Sequence, residues 1–217
     1  MSGPSSVFSL LDGIRALPVV AIDNVEDAVP LADALAQGGL PAIEVTLRTA
    51  AAFDAIARLQ KERPRLLIGA GTIVTGAQMK TCAALGVRFA ISPGLTPALL
   101  EVAHELKMPY LPGTATASDV MIGIQHGWSE FKFFPAEAAG GVAMLKSWAG
   151  PFPELRFCPT GGITPKLLDF ARRSKFIDRF LDKGRVAAIL HSMPICVIVE
   201  ERAALYGVRR QFDREVS

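Results

Sequence analysis

The sequence predicts a single α/β domain with the architecture of a (β/α)8 barrel, and three observations carry the prediction. Short β-type runs alternate with helical patterns along most of the chain, as is typical of parallel βαβ units. Seven or eight such units within 217 residues favour a compact barrel over an open doubly wound sheet. No GxGxxG sequence follows the first strand, which argues against a dinucleotide-binding fold.

Each predicted strand is a short apolar run, and most predicted helices end at a glycine or proline. The predicted strands cover residues 17–22, 42–46, 66–72, 89–92, 110–113, 130–134 and 156–160. The predicted helices cover residues 25–37, 50–62, 76–85, 118–126, 142–148 and 165–173, and one more begins at Thr96 and Pro97. Thr96 suits the N-cap and Pro97 the first helical position. Pro30, inside the first helical pattern, predicts a kink or a late helix start.

Composition predicts a packed core and excludes several kinds of partner. Half of the residues are hydrophobic, a fifth are charged, and the formal net charge of +2 comes from interspersed acids and bases. Without a basic stripe we expect no nucleic-acid partner. Without a signal-like start or an apolar stretch of ~18 residues we expect no membrane partner. Three cysteines, far apart and without CxxC spacing, predict a reduced, cytoplasmic setting and no zinc site.

One lysine, Lys132, lies in the most apolar short run of the chain, Phe131–Pro135. Low dielectric disfavours the charged form of an amine, and a neutral amine attacks carbonyl carbons to form Schiff bases. The alternative is an edge-strand lysine whose head group reaches solvent past a hydrophobic patch. Period-two alternation places Glu130, Lys132 and Phe134 on one face of the predicted strand. Lys132 is therefore a candidate nucleophile near the strand ends where barrels carry their chemistry.

A second polar set follows the predicted second strand. Glu44, Thr46 and Arg48 recur at every second position, so they point the same way. Both faces of a barrel strand are covered, so a glutamate and an arginine that point inward would be buried and require a functional or structural partner. A carboxylate near an amine carries protons during imine chemistry, and arginine clamps a substrate carboxylate in a bidentate fork. With Lys132 these are the parts of an aldolase that makes an enamine from a 2-oxo acid; a structural ion pair is the alternative.

Small residues follow two other predicted strands. Thr72 ends the run Gly69-Ala70-Gly71-Thr72, where its hydroxyl has room to meet a ligand or simply forms a turn. Gly161 and Gly162 expose backbone N–H groups just ahead of a predicted helix, where many barrels bind phosphate, although turns use glycine everywhere. A phosphate-binding barrel isomerase would share this glycine pair but would not explain the lysine between phenylalanines.

Five motifs occur in a fixed order along the chain: Glu44–Thr49, Gly69–Thr72, Ile91–Gly94, Glu130–Glu137 and Arg156–Ile163. From about residue 11 to residue 173 the sequence resembles the bacterial 2-keto-3-deoxy-6-phosphogluconate (KDPG) aldolase family, also called KHG/KDPG aldolase. The resemblance implies a class I aldolase in a (β/α)8 barrel, usually a homotrimer, that cleaves this phosphorylated sugar acid to pyruvate and glyceraldehyde 3-phosphate. A further candidate substrate is 4-hydroxy-2-oxoglutarate, which would give pyruvate and glyoxylate.

The resemblance also implies roles for the residues that match the catalytic motifs. Lys132 would be the Schiff-base lysine, and Glu44 would be the general acid/base. Arg48 and Thr72 would hold the carboxylate of the 2-oxo acid. No metal ion and no organic cofactor are implied.

Five further positions would bind the rest of the substrate. Pro93 and Phe134 would wall the pocket beside the lysine. Thr160, Gly161 and Gly162 would contact the distal end of the substrate. These roles come from matching motifs, and the sequence alone does not rank the candidate sugar acids.

The C-terminal segment departs from the family pattern. The pattern requires a short apolar eighth strand and a Gly-Gly-Ser-Trp-like turn, whereas residues 174–185 are interrupted by charges and no double glycine follows Gly162. Within one barrel domain, 1–217, we therefore distinguish a family-like part, 1–173, from a divergent part, 174–217. A frameshift or an alternative end explains the change, and finding no such turn in the gene's other frames would argue against a shift. The alternative function is an impaired barrel that binds 2-oxo acids or oligomerises without turnover.

Overall fold

The computed structural model describes residues 6–14 and 17–162. The helices of this part are α1 (Val7–Leu10), α2 (Ala28–Gln37), α3 (Ala52–Glu62), α4 (Gly76–Ala84), α5 (Pro97–Leu106), α6 (Ala117–Gln125) and α7 (Gly141–Trp148). Its strands are β1 (Val19–Val20), β2 (Ala42–Thr46), β3 (Leu67–Gly71), β4 (Phe89–Ile91), β5 (Tyr110–Leu111), β6 (Gly113–Thr114), β7 (Glu130–Phe133) and β8 (Arg156–Pro159). The predicted helix 165–173 and the divergent part 174–217 lie outside the described residues.

The strands pair in parallel and follow the order of a barrel. One sheet runs β1-β2-β3-β4-β5 and a second runs β6-β7-β8, with a helix between successive strands except between β5 and β6. The predicted strand 110–113 is divided at Pro112, which has no N–H to donate but whose carbonyl accepts from the Lys132 N–H. The predicted α/β barrel class is confirmed. The predicted eighth strand would follow residue 162 and lies beyond the part of the chain that the structure describes.

Threonines set the starts of three helices. Thr75, Thr96 and Thr116 are the N-caps of α4, α5 and α6, and each hydroxyl accepts from the backbone N–H three residues on. The N-cap role predicted for Thr96 is confirmed. Residues 25–27 form a 3-10 turn and α2 begins at Ala28, so Pro30 lies in the first helical turn, where its missing N–H costs no hydrogen bond. The late start is therefore confirmed, and no kink is required.

A short helix that the sequence pattern did not predict, α1, closes the N-terminal end of the barrel. Its side chains join a buried cluster that contains Val7, Phe8, Leu11, Ile14, Leu17, Ala42, Phe89, Ile91, Leu111 and Cys158. Glu130, at the start of β7, accepts hydrogen bonds from the Ser6 hydroxyl and the Phe8 N–H and pairs with Arg156. Glu130 thus anchors α1 beneath the barrel and does not join the chemistry at the other end.

The larger core lies between the helices and the outer faces of the strands, and it is built from Val, Ile, Leu and aromatic side chains. Inside the barrel, Gly69 leaves space for the ring of Phe89, because a Cβ on this glycine would lie 2.0 Å from the ring. Among the described residues, no helix is long and apolar enough to cross a membrane.

Candidate active site

Lys132 is a buried lysine rather than a solvated one. All four residues of β7 are buried, and only 8% of Lys132 is exposed. The Lys132 carbonyl accepts from the Thr114 hydroxyl at 3.2 Å, which fixes the backbone of β7 against β6. The amine nitrogen lies 5.0 Å from the centre of the Phe134 ring, so its neighbourhood is partly aromatic. The strand therefore holds one amine in a mostly apolar wall of the barrel.

Glu44 lies on β2 and is the second buried charged group of the site. It is 1% exposed, and neither carboxylate oxygen has a hydrogen-bond partner among the described residues. Burial raises the pKa of Glu44, and the nearby charges of Lys132 and Arg48 oppose that rise without cancelling it. A buried carboxyl group that no structural bond occupies is suited to exchanging protons with a ligand.

Gly71, at the end of β3, makes the space in which the Glu44 carboxyl group lies. A Cβ on Gly71 would be 1.9 Å from Glu44 Oε1 and 2.7 Å from Glu44 Cδ. The small residues of this motif were expected to leave room for a ligand, but at Gly71 the room is taken by the general-acid candidate. The sequence motif shows that position 71 is a glycine. It does not show the parallel register of β2 and β3, in which Gly71 pairs with Thr46, two residues after Glu44.

Arg48 lies in a different setting from the one predicted. Strand β2 ends at Thr46, so Arg48 belongs to the turn that follows, and its side chain is exposed at the C-terminal end of the strand. Arg48 is thus a turn residue and not the strand residue that was predicted, because the chain leaves the sheet before the alternation reaches it. Its Nε donates to the Thr46 hydroxyl at 3.2 Å, and its charge still acts on Glu44.

Thr72 follows β3 directly and adopts a left-handed backbone conformation with φ of 58°. A β-branched residue in this region is rare and costs about 1–3 kcal/mol, whereas glycine adopts it freely. A turn at this point alone would not require a threonine. The half-buried side chain, at a strand end beside Gly71, remains a candidate ligand for the substrate carboxylate.

The predicted pocket walls lie next to the lysine. Gly113 is the register partner of Lys132, and a Cβ on Gly113 would lie 2.3 Å from the Pro93 carbonyl oxygen, so the Pro93 loop packs directly against β6. Ser92 fixes this loop: its hydroxyl donates to the Gly94 carbonyl at 2.5 Å and accepts from the Gly113 N–H at 3.3 Å. The Tyr110 hydroxyl lies 2.6 Å from the same Ser92 oxygen. Sequence reasoning assigned Pro93 a place in the wall but missed the Ser92–Tyr110–Gly113 network that holds it.

The residues after β8 lie on the Phe134 side of the site. A Cβ on Gly161 would be 3.0 Å from the Phe134 ring, and Gly161 and Gly162 have φ of +88° and +72°. Thr160 is buried, and its hydroxyl has no hydrogen-bond partner among the described residues. The Thr160 carbonyl accepts from the Ala136 N–H at 2.7 Å, which ties this segment to the loop after β7. A buried threonine hydroxyl and two glycines in the left-handed conformation therefore follow β8 on this side of the site.

Fold and site together define a class of enzyme. A buried amine on β7, a carboxyl group on β2 without a hydrogen-bond partner in the described part of the chain, and an exposed arginine just past β2 come from parallel strands of one barrel, and barrel enzymes act at the C-terminal ends of their strands. This is the equipment of an enzyme that forms a Schiff base with a carbonyl substrate. Within residues 6–14 and 17–162, no group of three or more metal-ligating side chains comes together.

Comparisons with known proteins agree with this class. A family model described as KDPG and KHG aldolase matches residues 7–175, so the chain belongs to the KDPG and KHG aldolase family. The 2-dehydro-3-deoxy-phosphogluconate aldolase of Pseudomonas aeruginosa is 51% identical over 150 residues, covering 69% of this chain and 68% of that protein. The KHG/KDPG aldolase of Escherichia coli is 49% identical over 161 residues, covering 74% and 76%.

A solved structure extends the similarity to the described barrel. The KDPG aldolase of Legionella pneumophila, with pyruvate captured as a covalent carbinolamine intermediate, superimposes with a TM-score of 0.77 at 38% identity, covering 95% of this chain and 92% of that one. The aldolase match ends at residue 175, in agreement with the departure predicted after about residue 173. A second family model, described as Glucokinase, matches residues 158–215, which is well under half of the chain and overlaps the divergent part.

Proposed function

We propose that the protein is a class I aldolase that cleaves KDPG to pyruvate and glyceraldehyde 3-phosphate. The observation that carries the proposal is the buried carboxyl group of Glu44, unpartnered among the described residues and within electrostatic reach of the buried Lys132. A raised pKa favours the protonated form of this group, as the first proton transfer of the proposed reaction requires. Relatives named for this sugar acid support the choice of substrate.

In the proposed mechanism the Lys132 Nζ adds to the C2 keto carbon and forms a carbinolamine. Glu44 protonates the departing hydroxyl, and loss of water gives the iminium ion. The Glu44 carboxylate then takes the proton of the C4 hydroxyl, the C3–C4 bond breaks, and its electron pair forms the enamine as glyceraldehyde 3-phosphate leaves. Glu44 returns this proton to C3, and hydrolysis of the imine releases pyruvate and restores Lys132.

The remaining candidate residues would hold the two ends of the substrate. Arg48 and Thr72 would bind the carboxylate, and the arginine would supply paired N–H donors. The backbone amides of Gly161 and Gly162, with the Thr160 hydroxyl, would bind the distal phosphate. A 4-hydroxy-2-oxoglutarate molecule presents the same 2-oxo acid end to Lys132, and the Escherichia coli relative is named for both substrates. Cys82 is a free, buried cysteine, which suits a reducing, cytoplasmic setting for a phosphorylated substrate.

We also propose that the chain assembles as a homotrimer, the state that the resemblance implies. Met121 and Ile124 lie three residues apart on α6 and are 53% and 42% exposed, so they form an apolar strip that a second copy would cover. Light scattering should give the mass of three subunits. The variant M121K should lower this mass while its circular dichroism spectrum stays unchanged, and a single-subunit mass for the wild type would contradict the proposal.

Borohydride trapping tests the aldolase proposal. The protein is incubated with pyruvate, reduced with borohydride and weighed, and we expect one reduced pyruvate adduct that the variant K132A loses. Lys80 is an exposed lysine paired with Glu105, so K80A is the matched control and should keep the adduct. An unchanged wild-type mass would refute the proposal. An adduct without release of pyruvate from KDPG would favour the impaired barrel instead.

A further inference from the structure

We infer that Thr46 is a positioning residue that orients the Arg48 guanidinium for the substrate carboxylate. The inference rests on the proposed function, since it is the aldolase substrate that gives Arg48 a carboxylate to bind. Thr46 is 1% exposed at the end of β2, so its side chain acts on the ligand only through a neighbour. The resemblance assigned it no role.

The Thr46 hydroxyl has two partners, and its chemistry fixes which group donates. Its single proton goes to the Val20 carbonyl on β1 at 2.9 Å, because a carbonyl can only accept. Its oxygen accepts from Arg48 Nε at 3.2 Å, because a guanidinium can only donate. The hydroxyl therefore links the arginine side chain to the backbone of the neighbouring strand.

The turn that carries Arg48 is attached to the chain of β1 at a second point. The Thr49 hydroxyl donates to the Ile22 carbonyl at 2.6 Å. Thr46 and Thr49 thus flank Arg48 and both bind carbonyl groups of the same neighbouring segment. Of these two threonines, Thr46 alone also bonds to the guanidinium. Variants at the two positions therefore distinguish an effect on the turn from an effect on the arginine side chain.

Anchoring Arg48 at Nε prepares it for a bidentate ligand. An exposed arginine samples many rotamers, and ordering it on binding costs conformational entropy. A hydrogen bond at Nε sets the rotation of the planar guanidinium before the ligand arrives. A carboxylate then meets a fork of fixed orientation, which strengthens binding of substrates that carry a carboxylate and leaves other ketones unaffected.

Trapping with two ketones tests this role. In T46V, which keeps the shape but lacks the hydroxyl, the pyruvate concentration for half-maximal borohydride trapping should rise about 5–10-fold, the loss of about one hydrogen bond. Trapping of acetone, which has no carboxylate, should not change. T46S should restore the wild-type value, and T49V, which loses only the attachment of the turn, should stay within about twofold of it.

A double-mutant cycle completes the test. If Thr46 acts through Arg48, adding T46V to R48A should produce no further rise in the pyruvate concentration. An equal effect of T46V in both backgrounds, or an equal effect on acetone, would overturn the inference while the wild-type adduct upheld the aldolase. A wild type without an adduct would overturn both. Should T46V fail to fold, fast solvent exchange of the Arg48 Nε proton in the wild type would overturn the inference on its own.

Discussion

Replacement of Gly71 by alanine tests whether Glu44 must lie where the structure places it. The new methyl group would start 1.9 Å from Glu44 Oε1, and an ordinary contact begins at 3.4 Å. The carboxyl group must therefore retreat by about 1.5 Å, and because it is buried it has few other places to go. G71A thus displaces the proposed proton carrier without removing any of its atoms.

The displacement gives the size of the expected loss. A misplacement of about 1 Å at a catalytic group can cost about 100-fold in rate. At about 1.36 kcal/mol for each factor of ten, this equals about 2.7 kcal/mol of lost transition-state stabilisation. Overpacking of this kind lowers the free energy of unfolding by about 1–3 kcal/mol. We therefore expect kcat for pyruvate release from KDPG to fall at least about 100-fold in a protein that still folds.

Two controls separate catalysis from packing. G69A overpacks the same strand against the Phe89 ring, 2.0 Å away, rather than against the Glu44 carboxyl group, so it should lose stability but keep more of its kcat than G71A. The double variant E44D/G71A carries a shorter acid that fits beside the new methyl group. Its fold-loss in kcat should therefore be smaller than the product of the fold-losses of E44D and G71A. The assay couples released pyruvate to lactate dehydrogenase. A kcat for G71A within about threefold of the wild type would refute the placement of Glu44 as catalytic.

Three further variants test burial, strain and the loop network. Burial raises the pKa of Glu44 above its usual 4.5. Below that pH the buried group is protonated and the folded state keeps its full stability. As pH rises toward the folded pKa, the buried group must stay protonated or ionise in the core, and the wild type loses stability. Urea unfolding should therefore show E44Q more stable than the wild type at about pH 8, with the difference gone below about pH 4; a constant difference would contradict the shift. T72G relieves the left-handed threonine and should raise the unfolding free energy by up to about 1 kcal/mol while KM for KDPG rises; lower stability would argue against strain. Y110F removes the hydroxyl beside Ser92 and should lower the free energy of unfolding by about 1 kcal/mol, and an unchanged value would show that this bond contributes nothing.

Much of the fold could be predicted because each strand of the barrel is a short apolar run with clear ends. The bounds predicted for the second strand, 42–46, match β2, and the helix predicted at 76–85 differs from α4 by one residue. Helix α1 escaped prediction since a single turn shows no periodicity. The strand predicted at 110–113 was too long, because apolarity continues through Pro112 although the hydrogen-bond ladder does not.

The site could be predicted where it depends on the residues of one strand, but not where it depends on the register of two neighbouring strands. An apolar run with a single lysine predicts a buried amine, and the structure shows Lys132 buried. Alternation along β2 misplaced Arg48, since a sequence pattern does not show where the chain leaves the sheet. The space at Gly71 depends on the parallel register of β2 and β3. In that register Thr46 pairs with Gly71, and Glu44 lies two residues before Thr46 on β2. Cross-strand neighbours of this kind become visible only after folding.

The proposed nucleophile and the proposed proton carrier lie on different sheets of the barrel. Lys132 belongs to the three-stranded sheet and Glu44 to the five-stranded one, and Ser92 bridges them through the Gly113 N–H. Because β5 and β6 are two halves of one segment divided at Pro112, the position of this segment contributes to the distance between Lys132 and Glu44. Loss of the Ser92 hydroxyl should therefore alter that distance and slow turnover although no reacting atom is removed.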